Sequence, residues 1–293
     1  MRYIFLFSFC FLISAMLLGQ ERKKNQGRLP KPKADQQEKF LKKQWWLGFK
    51  AGGNLTQADP IKRYTVLTPT NYPAGKADKS YDGFKSLGSQ AGIEVSFQYE
   101  NFLISTQPTY RQSRYTYSNQ FRWTSESDIN QSLIQNYKQE QKIDYADIPL
   151  IIKYTIGNGR FRPFIQIGIY YSFLINATQT VKLSGTDMAS GGSNQFSSEP
   201  VIVGAKDLFA DYWSLGAGTG VTYQLGNVQL ILDASYRKGM SNVANVKNRF
   251  SNDRLSGIGD VQDDVKISNV IISAGVLFPM RFLNSNFKSF DRK

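Results

Sequence analysis

Leu87-Gly88-Ser89-Gln90-Ala91-Gly92-Ile93-Glu94-Val95-Ser96-Phe97-Gln98-Tyr99 alternates almost without error. Leu87, Ala91, Ile93, Val95, Phe97 and Tyr99 share one parity, and Gln90, Glu94, Ser96 and Gln98 share the other. A period of two marks a β-strand with one apolar and one polar face. Outward from this stretch the pattern recurs about eight times, in segments long enough to cross a bilayer as tilted strands. The connections alternate in length. Glu100-Asn101, Gly157-Asn158-Gly159 and Leu225-Gly226-Asn227 are tight turns, whereas 56–84, 119–140, 180–209 and 239–264 read as long polar loops. Short periplasmic turns, long extracellular loops and both termini on the periplasmic side are the arrangement of outer-membrane barrels. The expected fold is therefore all-β, an eight-stranded antiparallel transmembrane β-barrel over residues 44–283.

The outward aromatics cluster by height. Trp45, Tyr99, Phe102, Tyr154, Tyr223 and Phe282 fall near the short-turn end, and Tyr110, Tyr171, Phe173, Trp213 and Tyr236 lie toward the other. Two such girdles are what membrane interfaces select. A soluble barrel of the same size puts its apolar residues inside around a ligand. That arrangement is hard to reconcile with an opposite parity carrying Lys50, Glu94, Asp147, Lys153, Asp233 and Arg237.

The first residues read differently. Met1-Arg2-Tyr3 followed by the apolar run Ile4–Leu18 is expected to be a secretory signal, residues 1–19, cleaved after Gly19. The run is about 15 residues, shorter than the roughly 20 a spanning helix needs. Residues 20–43 then form a basic leader without apolar periodicity, read as disordered and periplasmic. Within 21–43, Arg22, Lys23, Lys24, Arg28, Lys31, Lys33, Lys39, Lys42 and Lys43 oppose only Glu21, Asp35 and Glu38, a net charge of +6 out of +13 for the chain. In a periplasm, nucleic acid is excluded as a partner. A solvated tail, outer-membrane lipid or an envelope protein fits that charge. Residues 284–293 are a C-terminal tail.

Several chemistries are closed to this chain. It contains no histidine, and its one cysteine, Cys10, lies in the signal. Histidine-based general base catalysis, Ser-His and Cys-His nucleophiles and imidazole metal sites are thereby removed. Gly216, Gly218 and Gly220 lie two apart within a strand, with no lysine and no helix after them, so they are not a phosphate loop. They are expected to make room for bulky lumen neighbours such as Tyr170. Asp253, Asp260, Asp263 and Asp264 match no known cation cradle and read as solvated loop acids. No catalytic, cofactor or metal site is expected. The site-like feature is instead a charge network in the lumen. Counting from the short turns puts Lys50, Glu94 and Asp233 at one height and Arg111, Asp147 and Arg237 at a higher one, with Lys153 also facing inward. Lys50 is expected to pair with Glu94, and Arg111 with Asp147, as a plug, since eight strands leave a lumen that side chains fill.

Four stretches carry a family resemblance: Leu47-Gly48-Phe49-Lys50-Ala51-Gly52-Gly53-Asn54, Tyr145-Ala146-Asp147-Ile148-Pro149-Leu150, Trp213-Ser214-Leu215-Gly216-Ala217-Gly218-Thr219-Gly220, and the closing strand ending near Phe278. With them, residues 45–283 resemble the PorT-like outer-membrane β-barrel family (a porin-family barrel) of Bacteroidetes-type bacteria. The resemblance implies a barrel, and its namesake is linked to protein secretion. The function expected is a non-enzymatic structural or partner-docking role in the envelope, with a passive small-solute pore as the alternative.

Overall fold

The computed structural model describes residues 43–64, 79–128, 130–157, 159–189 and 192–280. Twelve strands run in chain order: β1 Lys43–Lys62, β2 Ser80–Tyr81, β3 Leu87–Tyr99, β4 Phe102–Thr106, β5 Thr109–Thr124, β6 Ser132–Thr155, β7 Phe161–Asp187, β8 Asn194–Ser197, β9 Val201–Gly204, β10 Tyr212–Leu225, β11 Val228–Gly239 and β12 Asp264–Pro279. All the pairings are antiparallel, and they close a ring in which β1 meets both β3 and β12 and β7 meets both β6 and β10. In hydrocarbon every backbone N–H and C=O must be met within the protein, and only a closed ring leaves no edge.

The ring has eight staves because β4 and β5 count as one. Pro108 lacks an N–H and interrupts the ladder. Val95 faces Thr106 and Gly92 faces Thr109 on one unbroken register. The Pro108 carbonyl still accepts from Ile93 N at 3.0 Å. The tight turns behave as their residues require. Gly157 and Gly226 adopt φ of 85° and 61°, where an L side chain is strained. Glu100 takes a φ of 53° at the β3–β4 turn without that freedom. Glu100→Gly is therefore expected to stabilise the barrel by up to about 1 kcal/mol. A urea midpoint that falls in this variant would show the strain to be absent.

Three long segments depart from the sequence expectation. The loop expected from residue 56 starts only after Lys62, the stretch 119–140 is mostly β5 and β6, and 180–209 contains the end of β7 plus β8 and β9. The strands outrun the bilayer. Along the β4–β5 stave the outward series changes from Phe102, Ile104 and Tyr110 to Gln112, Arg114, Thr116 and Ser118. In β7 a bulge opposite Asp144/Tyr145 marks the same boundary. Below it Tyr171, Phe173 and Ile175 face out; above it Asn176, Thr178, Thr180 and Lys182 do. Where lipid ends, the outward face no longer gains from being apolar.

Above the bilayer the barrel acquires an ordinary interior. Tyr115, Tyr117, Ile143, Tyr145, Ala177, Phe209, Tyr212, Val243, Val265 and Ile267 form one buried cluster. The β11–β12 connection feeds this core through a helical turn, Asp253–Ser256, whose Leu255 is buried and whose Asn252 side chain accepts from Leu255 N.

Candidate functional site

The lumen is filled in layers. Near the short turns Trp46 is completely buried and donates Nε1–H to Gln98 Oε1 at 3.0 Å. Above it lies a balanced quartet from four strands, Lys50 of β1, Glu94 of β3, Lys153 of β6 and Asp233 of β11. Lys153 Nζ stands 2.5 Å from Glu94 Oε1, and Lys50 is ion-paired with Asp233. Ser273 donates to the other Asp233 oxygen at 2.7 Å, and Lys50 Nζ reaches Gln107 Oε1 at 3.4 Å. The Lys50–Glu94 ion pair expected from parity counting is present at 3.7 Å, and Lys153 grips the same carboxylate more closely. Strand tilt carries β6 round to that height.

A second layer surrounds Asp147. Arg111 Nε reaches Asp147 Oδ2 at 2.8 Å and its Nη2 reaches Oδ1 at 3.1 Å, a two-pronged grip. Arg237 Nη1 adds a contact of 2.9 Å to Oδ2, and Ser172 donates to Oδ1 at 2.7 Å. The guanidinium of Arg237 lies 3.8 Å above the Tyr170 ring centre, and Arg111 donates to Tyr212 OH at 2.8 Å. One carboxylate thus serves two guanidiniums, and aromatic faces carry part of the surplus. The glycines of β10 make this possible. A Cβ at Gly216 would fall 2.8 Å from the Tyr170 ring, and one at Gly220 would fall 2.5 Å from Phe164.

A third layer, outside the bilayer, closes the top. Lys79 Nζ meets Asp260 Oδ1 at 2.8 Å and Asp263 Oδ1 at 3.6 Å, and it also bonds the Val261 carbonyl. Tyr117 OH and Gln179 donate to Asp260 Oδ2 at 2.8 and 2.7 Å, and Tyr81 OH donates to Asp263 at 2.7 Å. Asp260 and Asp263 are therefore buried and paired, not the solvated loop acids expected. No group of three potential metal ligands occurs among the described residues. Sequence reasoning missed this layer because its members come from two loops and the upper ends of strands. The one signal was that Tyr115, Tyr117, Gln139 and Gln141 keep the lumen parity of Arg111 and Asp147.

Burial pushes the Tyr81, Tyr115 and Tyr117 phenols well above the ordinary tyrosine range; Asp263 and Asp260 raise Tyr81 and Tyr115 further, and Asp260 raises Tyr117. The folded state holds these protons more tightly than the unfolded chain does. Their stabilisation is then complete below about pH 10 and drains away as pH rises through the folded values. Tyrosinate absorbance should reveal a group of phenols that ionises late, together with loss of the cap. Simultaneous ionisation of all sixteen tyrosines with the fold intact would contradict this.

Trp45, Tyr99, Phe102, Tyr154 and Tyr223 are exposed near the short turns, as are Tyr110, Tyr171, Phe173, Trp213 and Tyr236 near the other boundary. Phe282, the signal, the tail and the leader with Arg22, Lys23, Lys24, Arg28, Lys31 and Lys33 lie outside the described residues.

Residues 31–245 match the family described as outer membrane protein beta-barrel domain. No curated protein matches the chain. Solved structures similar to it include neisserial surface protein A, 16% identical over 79% of this chain and 96% of that one, with a TM-score of 0.32. Ail, the attachment invasion locus protein of Yersinia pestis, is 11% identical over 80% and 99%, with a TM-score of 0.28. The outer membrane protease OmpT from Escherichia coli is 10% identical over 83% and 99%, with a TM-score of 0.32. An eight-stave ring with an apolar outer band, a polar interior and a match over most of its length leads to one assignment: the chain belongs to the outer membrane protein beta-barrel domain family.

Proposed function

We propose that this barrel is a non-enzymatic docking protein of the outer membrane, built to present a surface and not to pass solutes. The observation that carries the reading is apolar exposure where no lipid reaches. Val201 and Ile202 on β9, and Val246 and Phe250 in the β11–β12 connection, are each more than half exposed at the extracellular end. Apolar side chains held in water at the rim favour a protein partner that covers them. The filled lumen supports the same reading, since the side chains of the two charged layers expose 9% or less of their surface. The basic leader offers a second contact on the periplasmic side. The PorT-like resemblance suggests that the partner belongs to a protein-secretion assembly, in which case deleting the gene should leave an exported cargo inside the cell.

The test pairs two measurements on the full-length chain. In planar bilayers the purified protein should be electrically silent. In intact envelopes, a photo-crosslinker at position 202 or 250 should trap one discrete protein species. Stable conductance with no crosslinked species would replace this reading with the passive small-solute pore.

A further inference from the structure

The outward face of the tall β5–β6–β7 wall carries a charge arrangement that sheets normally avoid. Arg114 lies directly opposite Lys142 across β5–β6, and Lys138 lies directly opposite Lys182 across β6–β7. Facing like charges destabilise a sheet. Acidic compensation is thin. Glu140 lies 3.4 Å from Arg114, Asp144 follows Lys142 on the same face but is buried, and Asp82, which also feels Lys138, is taken by Lys85 at 2.7 Å and by Thr116 at 2.6 Å. Lys138, Lys142 and Lys182 make no ion pair among the described residues.

Height gives the patch its meaning. Tyr110 and Phe173 both face Ala146, so the upper aromatic boundary lies four residues below Lys142 on β6. At about 3.4 Å per residue and a tilt near 40°, the Arg114–Lys142 pair stands about 10 Å above that boundary, at headgroup level. Lys138 and Lys182 form a second tier about 10 Å higher. Two tiers of facing cations beside the membrane surface match an anion supplied by the membrane itself.

We propose that this face binds the phosphate-bearing headgroup of an outer-leaflet glycolipid. Arg114 and Lys142 take a phosphate close to the hydrocarbon, and Lys138 and Lys182 take one further out. Guanidinium and ammonium groups bind phosphate oxygens through charge-assisted hydrogen bonds, and the lipid anion relieves the repulsion within each pair.

The test uses the full-length protein in non-ionic detergent, with a bisphosphorylated lipid A, its dephosphorylated counterpart and inorganic phosphate as probes. Native mass spectrometry should show the phosphorylated lipid held at least about tenfold more tightly than the dephosphorylated one. Inorganic phosphate at equal concentration should not displace it. The variant K138Q/K142Q/K182Q should lose that preference. Without lipid the same variant should unfold at higher urea than the parent, because its like-charge pairs are gone, and adding the phosphorylated lipid should reverse the order. Equal retention of both lipids by the parent, displacement by inorganic phosphate, or a triple variant that keeps the preference would each overturn the proposal. So would capture of an acidic protein at this face in place of lipid.

Discussion

Replacing Asp147 with alanine should lower the stability of the full-length barrel by about 3–5 kcal/mol, whereas Arg237→Gln should cost only about 1–2 kcal/mol. The asymmetry follows from the count of charges. Asp147 is 1% exposed and, among the described residues, is the one carboxylate ion-paired with both Arg111 and Arg237. Removing it strands two guanidiniums inside the lumen, and neither can shed its proton to escape the penalty. Removing Arg237 leaves Arg111 and Asp147 as a balanced two-pronged pair that Ser172 still supports. Urea midpoints followed by heat-modifiable gel migration in detergent would separate the two. An Asp147→Ala cost no larger than that of Arg237→Gln would mean that water reaches this layer.

The second large effect is local. Asp260→Ala should unlatch the cap and leave the membrane-spanning ring intact. Lys79 would lose its 2.8 Å partner, and Tyr117 and Gln179 would lose the oxygen they share. Losing a charged acceptor with several buried donors costs about 2–4 kcal/mol, here drawn from opening of the loop and not from global unfolding. Trypsin cleavage near Lys247, Arg249 and Arg254 should then accelerate roughly a hundredfold, since cleavage follows the population of the open form. The urea midpoint of the ring should stay within experimental error. Unchanged cleavage would show that the apolar contacts of Leu255, and not the Asp260 cluster, hold the cap.

The two cases show what the sequence could disclose. Inside the bilayer the two faces of a strand meet opposite solvents, so the parity of Leu87–Tyr99 or of Val228–Gly239 is read directly. Arg111 and Asp147 sit two positions apart in the β5–β6 register, diagonal neighbours on the same face and close enough to be foreseen by counting. Above the bilayer the contrast fades. Lys138, Glu140 and Lys142 face water while Tyr137, Gln139 and Gln141 face a partly polar interior, so 119–140 looks like loop although it is strand. Glu94 finds Lys153 through the tilt of the ring, a quantity carried by no local pattern. Lys79 and Asp260 lie 181 positions apart in connections without period, and only the folded barrel brings them together.

The bulge opposite Asp144/Tyr145 has a last consequence, one of reach. Above it β6 and β7 stay paired for twelve more positions, from Asp144–Asn176 to Leu133–Asp187. Next to β7 in the ring, the β10–β11 ladder ends at Ser214–Gly239, beside Trp213 of the aromatic boundary. At about 3.4 Å per residue and a tilt near 40°, one side of the rim stands about 30 Å taller than the membrane surface. A hairpin with its backbone bonds paired is a stiff mast rather than a tether. It holds its tip well clear of the aromatic boundary at its foot, where a large particle can touch the protein before it touches the membrane.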